Sequence, residues 1–208
     1  MSSAAAMPTL ELVCKRLLSD SAWFMKCLVG AVLILVPVAH FWACGYLYEL
    51  FKRARRGEPL ELPEWEDWGR LFYNGVPVFV IFLVFTVAPL AVTWVLTRPL
   101  YMLGAGWFSY MPMMPVLLGC FPVTAASIYL YQKREDYRDA FRPWLLLRMV
   151  RAVGLPLVVP TLALVGLLVT GLPLLPFVFF AGAALLGATY LSMFHHVETA
   201  LRGATRRG

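Results

Sequence analysis

From Val76 to Leu96 the chain reads VPVFVIFLVFTVAPLAVTWVL, 21 residues without a charged side chain. As a helix this run is about 31 Å long, matching the roughly 30 Å hydrocarbon core of a bilayer. It carries Pro77 and Pro89, each of which removes a backbone donor. A soluble helix rarely tolerates that, whereas a membrane helix re-satisfies the freed groups through its neighbours. The surroundings point the same way, since Arg98 is the only charged residue from Leu71 to Gln132.

All 12 acidic residues and all but one of the 18 lysines and arginines fall into four clusters. These run Glu11 to Lys26, Glu49 to Arg70, Lys133 to Arg151 and Glu198 to Arg207. With 61% hydrophobic and 14% charged residues, the chain is too apolar for an ordinary soluble domain. Residues 1–208 read as a single integral membrane domain: all-α, a polytopic transmembrane helical bundle. The +6 net charge is what the positive-inside rule and anionic headgroups ask of residues flanking spans. No basic stripe stands clear of the membrane, so nucleic-acid binding is not expected. Met1 to Leu10 carries no basic residue and no A-x-A site follows, so a secretory leader is not expected either. Cys14, Cys27, Cys44 and Cys120 lack metal-ligand spacing and read as small apolar residues.

Four full spans are expected, at 76–96, 111–131, 153–170 and 174–194. Arg98 to Tyr110 and Gly171-Leu172-Pro173 should be the loops on the side opposite the charges. Trp94, Tyr101, Trp107 and Tyr110 suit an aromatic belt there. Three amphipathic segments, 8–20, 60–73 and 135–151, read as helices lying in the membrane interface. Each precedes a glycine that opens an apolar run: Gly30, Gly75 and Gly154. This pattern suggests a weak threefold repeat of interfacial helix and hairpin.

Residues 22–51 allow two readings. Pro37 divides Trp23 to Phe51 into halves too short to cross alone. A single kinked span divides the basic residues 14 to 4 between the two sides, whereas a re-entrant pair of half-helices divides them 17 to 1. The positive-inside rule favours the re-entrant pair, with the charged side and the C-terminus in the cytoplasm.

From Gly45 the chain continues Gly45-Tyr46, then Lys52-Arg53-Ala54-Arg55-Arg56-Gly57-Glu58. Next come Leu62-Pro63-Glu64-Trp65-Glu66-Asp67-Trp68-Gly69, Leu71-Phe72 and Gly75. With the earlier Lys26, Gly30 and Pro37, this resembles the signature of an uncharacterised prokaryotic membrane family, domain of unknown function 4013. The resemblance is specific for about sixty residues; beyond Gly75 only 134–154 looks similar. It implies a multi-pass helical protein of a prokaryotic cytoplasmic membrane, and it carries over no activity or catalytic residue.

Taken by themselves, the same residues form an elbow. Gly57 can end the arriving helix, and Pro59 and Pro63 stop its continuation. Glu64, Glu66 and Asp67 would then occupy the first turn of the next helix, with Trp65 and Trp68 at headgroup depth. Arg53, Arg55, Arg56, Trp65, Trp68, Arg142, Trp144 and Arg148 form the candidate surface for headgroups or a protein partner.

No Asp or Glu occurs between Leu71 and Gln132 or between Ala152 and Val197. This argues against carboxylate proton relays and against paired-acid hydrolysis. His40 is the candidate intramembrane polar site, expected to bond a backbone carbonyl freed near Pro37. A lesser reading pairs it with His195 or His196 as haem ligands, although no cofactor or metal is expected overall. Ala183, Ala184, Gly187 and Ala188 form a small-residue face for close packing, or for a seam between two copies. The leading functional reading is a non-catalytic subunit or scaffold of a larger membrane complex. The alternative is a transporter or binding protein for a lipid or other apolar solute, with its site near Pro37 and His40. A cavity at that position would favour the alternative.

Overall fold

The computed structural model describes residues 9–171 and 174–205, and all of its regular elements are helical. Helix α1, Leu10–Leu17, starts where Thr9 Oγ1 accepts from the Leu12 N–H at 3.4 Å. Glu11 in its first turn and Lys15 and Arg16 in its last suit the helix dipole. Val13 and Leu17, one turn apart, are buried.

Helices α2, Trp23–Leu35, and α3, His40–Arg56, are separated by Pro37. Val36, before the proline, is extended (ψ 123°), and Val38 takes φ 72° to complete the reversal. The two helices form an antiparallel hairpin whose open end closes on one strip of backbone. Lys26 of α2 donates to the Leu62 carbonyl at 3.2 Å, and Arg53 of α3 donates to the Glu61 carbonyl at 3.1 Å. At 13 and 17 residues the legs are about 20 and 25 Å long, and neither would cross a bilayer alone.

Gly57, at φ 68°, ends α3, with the Glu58 N–H on the Arg53 carbonyl (3.1 Å). Residues 58–67 are not helical. The interfacial helix expected at 60–73 therefore begins only at Trp68; Pro59 and Pro63 push the residues before them, Glu58 and Leu62, toward extended backbone. Asp67 is the cap rather than a first-turn residue, its carboxylate accepting from the Arg70 N–H at 3.3 Å.

Helix α4, Trp68–Phe82, runs antiparallel to α3 at very short range. A Cβ on Gly45 would overlap the Leu71 carbonyl, and one on Gly75 would overlap that of Phe41. Small residues that let two backbones touch are a membrane-helix device. After a π-helical turn, Leu83–Val87, the chain continues as α5, Ala88–Leu100. Pro89 has no N–H to give, and the wider turn sits where regular pairing would need it.

Of residues 98–110, expected as a loop, Arg98 to Leu100 still belong to α5, and the rest make the turn to the next helix through short π and 3-10 turns, Tyr101–Ala105 and Gly106–Tyr110. The reversal is made by Gly104 (φ 83°) and Gly106 (φ 52°). The span expected at 76–96 thus lies within a longer helical run that starts at Trp68 and reaches Leu100 before the reversal.

Helix α6, Met113–Arg134, returns along α4 and α5. The expected helix 135–151 is broken into α7, Tyr137–Ala140, and α8, Pro143–Val153, with proline opening the second. Ser127 Oγ donates to the Ala140 carbonyl at 2.8 Å and folds α7 back against α6. Gly154 (φ 67°) then turns the chain by 90° into α9, Val158–Thr170, by way of a 3-10 turn. Helix α10, Leu175–Thr205, packs antiparallel to α9, where Thr161 bonds Tyr190. Gly171 closes α9; Leu172 and Pro173 of the expected hairpin loop lie outside the described residues, as does Pro8 of the expected first helix.

Among the described residues, three helical runs are long and apolar enough to cross a membrane: Trp68–Tyr110, Met113–Arg134 and Leu175–Leu201. The expected span at 153–170 is the exception. Its straight part is 13 residues, about 20 Å, and it counts as a fourth only together with α8 across the right-angle bend. Gly30 packs on the Phe180 ring, Gly75 on backbone, and Gly154 meets only the Arg151 carbonyl while making a bend. The three glycines share no role, so the suggested repeat does not extend to individual contacts.

The close approach of α3 and α4 yields a prediction. Gly45→Ala and Gly75→Ala should each cost about 1–3 kcal/mol, the range for overpacking, and more if the backbone cannot yield. Gly119 has nothing within 4 Å, so Gly119→Ala should be neutral or stabilise by up to about 1 kcal/mol. Unfolding midpoints of the three variants in detergent check this.

Candidate functional site

Helices α3, α4, α6, α9 and α10 surround a cavity of about 170 Å³. It is lined by Leu47 and Phe51 of α3, Val78 of α4, Ala125 and Ile128 of α6, and Leu164 of α9. Ala183, Leu186 and Gly187 of α10 complete the floor, and Ile34 of α2 and His40 of α3 reach it from the hairpin tip. Almost no polar atom shows on its surface. An engineered apolar cavity of about 150 Å³ stays dry and takes benzene or xenon, so this one suits an apolar guest rather than water.

His40 lies at the cavity, as the sequence suggested, but not as a polar site. Its ring packs between Phe41 and Phe79, with centroids 4.3 and 4.5 Å away. Nε2 is covered and carries no hydrogen bond, so the expected bond from it to a freed carbonyl is not made. The imidazole contributes shape to the wall. The haem reading fails on distance: His195 packs over Gly57, at the far end of α3. About 25 Å of helix separates that point from His40, far too much for two axial ligands of one iron.

At the opposite end of α3 the elbow is pinned by charge. Lys26 Nζ reaches Asp20 at 2.8 Å, the Leu62 carbonyl at 3.2 Å and Glu64 at 2.6 Å. Arg16, Asp20, Lys26, Glu58, Glu61 and Glu64 ring an open depression of about 700 Å³ beside it. Trp65, expected at headgroup depth, points inward. It stacks on Tyr46 (4.2 Å, 19°) and donates Nε1 to the Lys26 carbonyl at 3.1 Å. Trp68 stacks in turn on Trp65, and its carbonyl accepts from Trp42 Nε1 at 2.9 Å. Of the three arginines, Arg53 is spent on the Glu61 carbonyl, Arg56 stands 3.5 Å from Glu58, and Arg55 Nε is buried without a partner.

A family model described as "Protein of unknown function (DUF4013)" matches residues 28–203. The chain belongs to this family. No curated protein and no solved structure matches it. Every residue lining the cavity falls inside the matched region, whereas Asp20 and Lys26 of the elbow lie before it.

The remaining candidate residues of this DUF4013 chain stand on other elements. Arg142 pairs with Asp139 at 3.2 Å, and the same carboxylate holds Arg134 at 3.0 Å. Trp144 is 74% exposed, and with Leu147, Arg148 and Arg151 it makes one outward face of α8. The small-residue face of α10 is used within the chain. Gly187 meets the Phe51 ring, Ala183 lines the cavity, and Ala184 and Ala188 are buried. This face therefore serves the close packing within the chain that its small residues suggested.

Sequence reasoning missed Phe82, Phe121 and Phe179, which wall the cavity from three helices. Lone phenylalanines in apolar helices give no signal in sequence. It also missed Lys26 as the centre of the elbow, although a lysine opening an apolar run 38 residues before Glu64 was visible.

The Lys26 hydrogen bond, with that of the Ala22 N–H, holds the Asp20 carboxyl below its ordinary value of 3.8. That stabilisation is present above pH 3.8 and is lost as the pH falls through the lowered value. Wild type should therefore exceed Asp20→Asn in unfolding temperature at neutral pH, and the gap should close only in strongly acid buffer. A gap that does not change with pH would rule out this account.

Proposed function

We propose that this protein holds an apolar solute, a lipid or part of one, in the cavity inside its helical bundle. The observation that carries this reading is the apolar cavity between the helices, which Ile34 and His40 reach from the tip of the α2–α3 hairpin. A chain with so few ionisable groups in its apolar helices has little chemistry to offer a reaction. Its role is binding or passage rather than catalysis. Three to four apolar helical runs support a multi-pass membrane protein. We place it in the cytoplasmic membrane of a prokaryote, with α2 and α3 as a re-entrant pair. Contacts among the charged segments support one charged, cytoplasmic end that includes the C-terminus. Lys26 reaches Glu64, Gln132 reaches the Tyr48 carbonyl, and Lys133 reaches Glu198.

A ligand that binds only the folded state raises stability by about 2.7 kcal/mol at a hundredfold excess over its Kd. A medium-chain alcohol should raise the unfolding temperature of the wild-type protein in detergent. Ala183→Leu and Ala125→Leu, which fill the cavity, should abolish that rise. Equal shifts in wild type and filled variants would defeat the reading.

A second reading, a subunit of a larger membrane complex, is favoured by one patch. Met102, Leu103, Trp107 and Phe108 are 75% or more exposed at the turn between α5 and α6. Purification in mild detergent would then bring down a stoichiometric partner, lost on Trp107→Ser. A lone monomer that behaves identically with and without the substitution speaks against it.

A further inference from the structure

Outside the cavity, a groove of about 550 Å³ opens on the surface formed by α5, α6, α9 and α10. Leu90, Trp94, Met113, Leu117 and Leu168 line it, and it too shows almost no polar atom. Groove and cavity share three wall residues: Phe82, Phe121 and Phe179. The rings of Phe82 and Phe179 meet edge to face at 5.9 Å. We infer that the solute is a lipid with one long hydrocarbon chain, which lies along the groove and passes its end between these phenylalanines into the cavity. This rests on the reading of the cavity given above and names the class of ligand and its route.

Three features carry the inference. The first is continuity: from Trp94 inward to Leu47 the lining is almost wholly apolar, and at the junction the Thr86 and Thr124 hydroxyls bond each other, so a head group finds little to pair with along the path. The second is length. From Trp94 back to Val78 is about 24 Å of helix, and from Met113 to Ile128 about 22 Å. One leaflet of a roughly 30 Å core is about 15 Å deep. The path therefore suits an extended chain of lipid length, whereas the cavity alone, at about 170 Å³, suits only its end.

The third feature is local give at the phenylalanines. Phe82 is the last residue before the π turn Leu83–Val87, and such turns recur at functional positions. Phe121 precedes Pro122, which leaves the Leu118 carbonyl without its regular partner. Between these two irregular places, Thr86 and Thr124 bond through their hydroxyls at 2.7 Å and hold α6 to the π turn. Both rings thus stand beside backbone without regular helical pairing, while the threonine bond keeps the two helices joined.

The test uses the full chain in phosphatidylcholine vesicles and photoreactive fatty acids carrying a diazirine, with crosslinked residues located by mass spectrometry. A long-chain acid with the diazirine at its terminal carbon should label cavity residues such as Leu47, Ile128 and Leu186. The same acid with the diazirine at mid-chain should label Leu90 and Leu117 in the groove. A short alkyl diazirine should label the cavity in either case. Phe121→Trp, which enlarges the wall, should reduce cavity labelling by the long terminal probe about tenfold and leave groove labelling unchanged. If Phe121→Trp fails to fold, Phe179→Leu replaces it and should increase cavity labelling instead. Terminal-probe labelling confined to the groove, with the short probe still in the cavity, overturns the chain route and leaves the cavity reading intact. No cavity labelling by either probe overturns both.

Discussion

Lys26 is only 7% exposed, and its ammonium has three N–H groups to satisfy. It meets three acceptors: Asp20, the Leu62 carbonyl and Glu64. A buried cation left unpaired costs several kcal/mol, so these partners must stay where they are. They come from two segments far apart in sequence, the turn before α2 and the strip after α3. With Arg53 tied to the adjoining Glu61 carbonyl, the entrance to α2 and the exit from α3 are fixed at one end of the bundle. The 13 and 17 residues of the two legs must then fold back on themselves. Val38 at φ 72° is strained by about 1–3 kcal/mol for a β-branched residue. The closed hairpin offsets that cost.

Once the hairpin is closed, its outer leg decides where everything else packs. Gly45 and Gly75 draw α4 to backbone contact with α3 on one side. On the other, Phe51 seats its ring on Gly187 and Tyr46 meets Phe180, so α10 runs alongside α3. Trp65, stacked on Tyr46 and bonded to the Lys26 carbonyl, joins the polar staple to this apolar packing. The cavity extends from the hairpin tip at Ile34 and His40 down to Phe51 and Gly187. It is thus framed by the same contacts that hold the hairpin, and loosening the Lys26 staple would act on the cavity from a helix length away.

Much of this was legible in the sequence because it follows from composition and proline. Charge-free runs marked the long helices, and Pro37 marked the break between α2 and α3. Gly57 with Pro59 marked the elbow. The differences arise where tertiary contacts override local pattern. Trp65 carries an interfacial signature, yet its ring finds Tyr46 and turns inward. Residues 98–110 have the glycines of a loop, and Gly104 and Gly106 do reverse the chain, but short π and 3-10 turns flank them and α5 runs on to Leu100. Span 153–170 is apolar enough to cross, and only the backbone at Gly154 reveals that it meets α8 at a right angle. For the candidate site, His40 gave the right place with the wrong role. The phenylalanine wall was invisible because it is assembled from three helices.

If the cavity holds an apolar solute, as proposed, it selects by shape rather than by charge. Moving a hydrocarbon chain from bilayer to cavity gains little from the hydrophobic effect, since lipid tails are as apolar as the walls. The driving force is the cavity itself. At about 24 cal/mol per Å³, leaving some 170 Å³ unfilled costs roughly 4 kcal/mol in lost packing. A guest that fills the space recovers part of this, less the rotamer freedom its chain gives up. A chain that stays in the groove and does not reach past the phenylalanines recovers nothing, whereas a small apolar guest inside the cavity recovers a part set by the volume it fills. Selectivity of a few kcal/mol is therefore available without a single polar contact, which fits a wall where even His40 keeps its Nε2 covered.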